Sequence, residues 1–209
     1  MSEEDKYCGH HHHHHHNHHL TRHYRRLLSA VAAFIILVLF IILLIYLILH
    51  PSKPRFVLQD ATVYSFNLTS GGNLLTTNFQ VTLSAHNPND RVGIYYDRLD
   101  VYAAYRGQQI TLATLLPPVY QGRGDSDVWS PFVYGTEVPV APYLGAALVE
   151  DQISRNLMIN VRVVGKVRWK VGTFISGEYH LYVNCPAYID YGGVGGVKYQ
   201  LIMDCHVDV

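Results

Sequence analysis

The chain has 209 residues, 49% of them hydrophobic and 15% charged, and its 16 Lys and Arg balance its 16 Asp and Glu. A net charge of zero offers no basic surface to nucleic acid, so we expect no nucleic-acid partner. Three cysteines are too few for a multi-disulfide scaffold or a cysteine-based zinc module.

Residues 1–26 form a histidine-rich tail that contains the uninterrupted run His10–His16. The run is either an expression tag or a native low-complexity tract. We favour a native, disordered tract, because the run is interrupted by Asn17 and continues without a linker into Leu20–Arg22. Such tracts bind zinc or nickel adventitiously, which does not indicate a physiological site. We therefore expect no metal site and no cofactor.

The segment Leu27–Leu49 contains no charged residue, no proline and no glycine. As a helix it would be about 35 Å long, which is enough to cross a hydrocarbon core of about 30 Å. A signal peptide is the alternative, but its apolar core is normally shorter and is followed by a small-residue cleavage site. The residues from His50 to Pro54 show no such site, so we predict a permanent transmembrane helix.

The charges beside this segment favour a cytosolic N-terminus. Three arginines precede the segment closely, whereas two cations, Lys53 and Arg55, follow it. The sequon Asn67–Thr69 lies on the C-terminal side, and glycosylation of Asn67 would require that side to be lumenal or extracellular. We predict a single-pass type II protein with residues 50–209 outside the cell.

From Arg55 onward, short runs rich in Val, Ile, Tyr, Phe and Thr alternate with turn residues, which is typical of strands. Apolar residues alternate with polar ones in Phe79–Ala85 and again in Ile159–Val163. We interpret Gly165 as a bulge or bend that interrupts the second pattern. Further strands are expected at 55–66, 98–106, 109–115, 178–184 and 197–208.

One short helix is predicted at Pro142–Ile153, with Leu144, Leu148 and Ile153 facing the core. Strands at this spacing, without long helices between them, indicate an antiparallel sandwich. The expected fold class is therefore mainly β, with one N-terminal transmembrane helix and one short helix.

Cys185 and Cys205 lie on the predicted extracellular side. If they pair, the loop of about 20 residues contributes roughly 3 kcal/mol on the chain-entropy model. The alternative is two buried free thiols, which an oxidising compartment disfavours.

The stretch Asn87–Ile110 (NPNDRVGIYYDRLDVYAAYRGQQI) resembles the plant NHL family, the non-race-specific disease resistance and harpin-induced-like proteins. Three further stretches match: LPPVYQG at 116–122, KVRWKVGTFISGEYHLYVNC at 166–185 and DCHVDV at 204–209. The resemblance implies a late embryogenesis abundant group 2 domain, folded as a seven-stranded sandwich of the immunoglobulin or fibronectin III type. It also implies a plasma-membrane protein associated with defence and abiotic stress. The family-motif residues are Asn87, Pro88, Asn89, Tyr96 and Asp97.

Two interpretations of this motif stay open. Asn, Pro and Asp form turns readily, so the string Asn87–Asp90 can set a strand connection and the register of the sheet. A ligand-binding role for Asn87 or Asp97 is the alternative.

Arg123, Gly124 and Asp125 form the tripeptide of adhesion ligands, which is either an adhesion loop or an ordinary solvated loop. Tyrosines cluster nearby, and rings with a polar tip suit protein interfaces or stacking on wall polysaccharide, although strand alternation should bury half of them. They are Tyr95, Tyr96, Tyr102, Tyr105 and Tyr120.

No nucleophile elbow, phosphate-binding loop or zinc-protease motif occurs in the sequence, so we expect no catalytic residues. We predict a non-enzymatic plasma-membrane protein of plant defence that acts through protein or cell-wall contacts. The main alternative is a membrane-tethered desiccation protectant, and an extracellular hydrolase is a third hypothesis.

Overall fold

The computed structural model describes residues 17–49, 51–69, 71, 73–154, 157–189 and 203–209. The chain divides into two units, residues 1–50 and 51–209. The first contains helix α1 (Asn17–Leu49), which begins before the expected start at Leu27. Its segment Tyr24–Leu44 is 21 residues long and unburied, and it is strongly apolar after Arg25 and Arg26. It is therefore long and apolar enough to cross a membrane.

The second unit consists of strands and one short helix, α2 (Pro142–Ile153). The strands are β1 (Arg55–Leu68), β2 (Leu74–His86), β3 (Gly93–Tyr105), β4 (Gln108–Gln109), β5 (Thr114–Leu116), β6 (Val119–Gln121), β7 (Ser126–Trp129), β8 (Phe132–Pro139), β9 (Leu157–Val171), β10 (Phe174–Ile175), β11 (Tyr179–Ile189), β12 (Met203–Asp204) and β13 (His206–Asp208).

These strands form two antiparallel sheets. The five-stranded sheet has the order β12-β1-β2-β7, and β8 also pairs with β2. The eight-stranded sheet has the order β13-β11-β9-β3-β4, with β5 and β6 on β3 and β10 on β9. The expected mainly β fold with one short helix and antiparallel sheets is therefore confirmed.

Alternation of side chains explains why these segments are strands. Along β2, every second residue from Leu75 to Ala85 is buried, as expected for a strand with one face on the core. Buried residues of both sheets form one cluster, in which Tyr96 of β3 makes edge contacts with Phe56 and Trp129. Ring centroids in these two contacts are 6.1 and 5.9 Å apart.

The expected count of seven strands differs from the thirteen in the described residues. Six strands have eight or more residues, and the others are two- to four-residue segments at the sheet margins. The predicted strand 109–115 is mostly a connection between β4 and β5. Residues 190–202, which include part of the predicted strand 197–208, lie outside the described residues.

The predicted bulge at Gly165 is wrong. Buried and less buried residues keep alternating along β9 on both sides of Gly165. Gly165 itself faces the core, between the buried residues Val163 and Val167. A side chain there would collide with the carbonyl of Arg98 and the side chain of Leu99. The register shift lies on the partner strand β3, between Tyr96 and Arg98.

Helix α2 agrees with its predicted bounds, but Ile153 does not face the core. Leu144 and Leu148 are buried, whereas Ile153 is 79% exposed. Ile153 follows Leu148 by five residues, which turns it about 140° away from the buried face. The hydroxyl of Tyr105 and the guanidinium of Arg106 bind Asp151, which joins the helix to the end of β3.

Candidate functional site

The family motif forms a buried hydrogen-bonded junction, which we call the motif junction: Ser52, residues 87–92 and residues 122–125. Asn87 is 0% exposed, and its Nδ2 donates to the carbonyls of Val92 and Gly122, both at 2.8 Å. Its Oδ1 accepts from the backbone N–H of Asn89 at 3.1 Å and from Asn89 Nδ2 at 2.8 Å. Both polar atoms of the Asn87 amide are therefore occupied by the protein itself.

Asn89 extends the junction to the beginning of the domain. Its Oδ1 accepts from the backbone N–H of Ser52 at 2.7 Å, and its Nδ2 donates to the carbonyl of Ser52 at 2.8 Å. Pro88, half-buried between the two asparagines, fixes the backbone that places them. The junction thus joins the entry into β1 to the β2–β3 and β6–β7 connections, which favours the structural interpretation of the motif.

The other two motif residues hold β3 in place. The buried hydroxyl of Tyr96 donates to Gln121 Oε1 at 3.0 Å, and Gln121 Nε2 donates to the carbonyl of Ala85. Burial, with a smaller contribution from Asp127, raises the pKa of Tyr96 far above its ordinary value. Asp97 lies at the register shift, and its carboxylate accepts hydrogen bonds from Nε and Nη2 of Arg168 at 2.6 and 2.5 Å.

The tripeptide Arg123–Asp125 is an exposed turn between β6 and β7, in which Gly124 has a φ of +71°. The carbonyl of Asp125 accepts the backbone N–H of Asn87 at 3.0 Å, so the motif junction anchors this turn. Asp127 follows in β7, and burial and then Asp125 raise the pKa of its carboxyl.

The sequon and the cysteines lie in different parts of the domain. Asn67 is exposed near the end of β1, so its side chain is accessible; its glycosylation stays a prediction. Cys185 of β11 is joined by a disulfide to Cys205, which lies between β12 and β13. The disulfide holds the two short C-terminal strands beside β11.

A groove lies on the outer face of the eight-stranded sheet, and we call it the outer-face groove. Its volume is about 310 Å³. One row of directly opposed residues crosses it over four adjacent strands: Tyr102, Arg162, Asn184 and His206. Strands are about 4.8 Å apart, so the row is about 14 Å long. Val164, Tyr182 and Asp208 also line the groove.

Sequence reasoning missed this groove. The alternation in β9 predicts that Arg162 points away from the core, but it does not show which residues lie beside it. The neighbours come from β3, β11 and β13, and only the register brings them together. Tyr102 belonged to the predicted tyrosine cluster, in which Tyr96 and Tyr105 are buried and Tyr95, Tyr102 and Tyr120 are at least partly exposed. Within the described part of the chain, no three His, Cys, Asp or Glu side chains are grouped to hold a metal ion.

Comparison with known proteins shows which family this sequence resembles. The sequence profile of the family described as "Late embryogenesis abundant protein" matches residues 82–185. NDR1/HIN1-like protein 1 of Arabidopsis thaliana is 58% identical over 174 residues, which cover 79% of this chain and 83% of that protein. NDR1/HIN1-like protein 12 of the same plant is 54% identical over 173 residues, covering 79% and 82%.

A solution structure of a putative late embryogenesis abundant protein covers 92% of this chain and 97% of its own, with 18% identity and a TM-score of 0.27. The apolar helix and the matching profile define a chain in which an apolar helix precedes a late embryogenesis abundant domain. The chain belongs to the NDR1/HIN1-like family, as the motif resemblance predicted.

Proposed function

We propose that the protein is a non-enzymatic, single-pass plasma-membrane protein of the plant defence response, with residues 50–209 outside the cell. It acts through contacts of that domain with other proteins or with the cell wall. The exposed turn Arg123–Asp125 is one surface available for such contacts.

The observation that carries this proposal is the Cys185–Cys205 disulfide on the C-terminal side of the apolar helix. Structural disulfides persist in oxidising compartments, which supports a location of the domain outside the cytosol. The exposed sequon at Asn67 supports the same orientation. The defence role is supported by family membership through the name of the relatives.

Protease protection on intact plant cells tests the topology. We expect external protease to digest the domain and to leave a small fragment that contains residues 1–49. Glycosidase treatment beforehand should shift the mobility of the full chain, and Asn67→Gln should abolish that shift. A domain that is protected until the cells are permeabilised would refute the proposed orientation.

Partner capture tests the interaction role. The full-length protein, extracted in mild detergent, should recover proteins or polysaccharide from plasma-membrane or wall fractions. A matched variant, Asp125→Asn, should lose those partners that require the exposed turn. Repeated failure to recover any saturable partner would contradict the proposal.

The alternative, a membrane-tethered desiccation protectant, is favoured by the family description "Late embryogenesis abundant protein". It predicts that the full-length protein in nanodiscs protects a test enzyme during drying, in proportion to its concentration and without saturation. Empty nanodiscs are the control. Protection no better than that control would exclude this alternative.

A further inference from the structure

We propose that the outer-face groove binds a carboxylated sugar, a uronic acid, with Arg162 as the residue that holds the carboxylate. The inference rests on the proposed function, because the domain must face the wall to meet such a ligand. It assigns the cell-wall contact to a definite site and a definite chemistry.

The first observation is an uncompensated cation. Arg162 is half-buried in the central strand β9 and makes no hydrogen bond or ion pair with any described residue. The nearby acids already have partners: Asp100 binds Arg98 at 2.9 Å, and Asp208 binds Lys53 at 3.1 Å. The positive charge of Arg162 is therefore available to an external anion, and its planar donors fit a carboxylate in a bidentate manner.

The second observation is an unsatisfied acceptor beside that cation. Asn184 lies directly opposite Arg162, and its Oδ1 is buried with no hydrogen-bond partner in the described part of the chain. A buried acceptor without a donor costs the folded protein free energy, and a ligand hydroxyl recovers that cost when the Asn184 amide turns toward the groove to accept from it. A sugar hydroxyl is such a donor.

The third observation is the apolar lining between these polar groups. Tyr102 and Tyr182 flank the groove, and Val164 lies between them on β9. Aromatic and aliphatic surfaces accept the flat apolar face of a pyranose ring. A uronic acid combines a carboxylate, hydroxyls and an apolar face in one residue. Phosphate lacks the apolar face, and an aspartate side chain lacks the hydroxyls.

Titration of the full-length protein in nanodiscs tests the inference, with trigalacturonate as the probe and neutral maltotriose as the comparison. We expect saturable calorimetric binding of trigalacturonate and none of maltotriose. Arg162→Gln should weaken binding about tenfold or more, since it removes a charge-assisted hydrogen-bonded pair. Lys166→Gln, which removes an exposed cation from the same face of β9 outside the groove, should leave the affinity within about twofold.

Equal binding of maltotriose, equal binding of triaspartate, or an equal loss with Lys166→Gln would overturn the inference. An unchanged melting temperature of Arg162→Gln separates a lost contact from a lost fold. Failure to bind trigalacturonate, with the domain digested by external protease, refutes the groove and leaves the proposed function intact. A domain protected inside the cell refutes the proposed function whatever the titration gives.

Discussion

The motif junction and the outer-face groove use polar side chains in opposite ways. In the junction, Asn87 is fully buried, and both polar atoms of its amide bind the protein. In the groove, Arg162 binds no described residue, and Asn184 Oδ1 accepts no hydrogen bond from one. The family-motif residues Asn87 and Asn89 therefore build the domain. Arg162 lies outside the four stretches that carry the motif resemblance, whereas Asn184 lies in one of them, 166–185, and leaves its acceptor unused. Four predictions test this contrast, from the largest expected effect to the smallest.

Loss of the disulfide, which holds one wall of the groove, should have the largest effect on the free energy of unfolding. Cys205→Ser should lower the free energy of unfolding by about 3 kcal/mol under oxidising conditions, since it reopens a loop with a sequence separation of 20. Denaturant unfolding measures the loss. Reduced wild-type protein is the control and should match the variant. Wild-type thiols that label fully without reductant would contradict the prediction.

Asn87→Ala should come next, with a loss of about 2 kcal/mol, because the carbonyls of Val92 and Gly122 would lose their donor. The matched control is Asn73→Ala, an exposed asparagine between β1 and β2 that should change stability by no more than about 0.5 kcal/mol. Chemical denaturation compares the two variants. If both variants unfold alike, the motif is not the structural element inferred here, and a ligand role for Asn87 regains support.

Sequence patterns predicted the parts of this molecule that depend on local chemistry. Alternation located β2 and β9, and strand-rich composition located β1, β3 and β11, whereas the eight-residue strand β8 was not predicted. Compartment logic anticipated the pairing of Cys185 with Cys205. The short marginal strands escaped, because two to four residues carry no alternation and depend on the strand they pair with. Gly165 was misinterpreted because the sequence does not distinguish two reasons for a glycine in a strand. One reason is a bulge, and the other, which applies here, is the close approach of the neighbouring strand. The groove could not be predicted from the sequence, because it depends on the register of four strands.

Asp127 provides a smaller effect, beside the junction. Its folded-state pKa is raised above the ordinary 3.8, mainly by burial, so ionisation of its carboxyl costs the folded state. The stability that the neutral carboxyl contributes is present below about pH 3.8 and is lost as the pH rises through the folded-state pKa. Asp127→Asn should therefore be more stable than wild type at pH 7.

Denaturation at pH 7 and at a pH below 3.8 checks this prediction, since the advantage of Asp127→Asn should shrink in acid. Asp90→Asn, at an exposed position of the junction loop, is the control and should show no such trend. A variant that is less stable than wild type at pH 7 would mean that the Asp127 carboxylate has a stabilising role.

Arg162→Gln should have the smallest effect on folding, although it removes a half-buried charge from the central strand. Arg162 has no ion pair with a described residue to lose, so the free energy of unfolding should stay within about 0.5 kcal/mol of wild type. Arg168→Gln is the comparison, because it lies on the same face of β9 and would lose both bonds to Asp97. A clear loss for Arg168→Gln and none for Arg162→Gln would separate a cation used by the fold from one left for a ligand. Equal losses would show that Arg162 also serves the fold, and the contrast between junction and groove would then disappear.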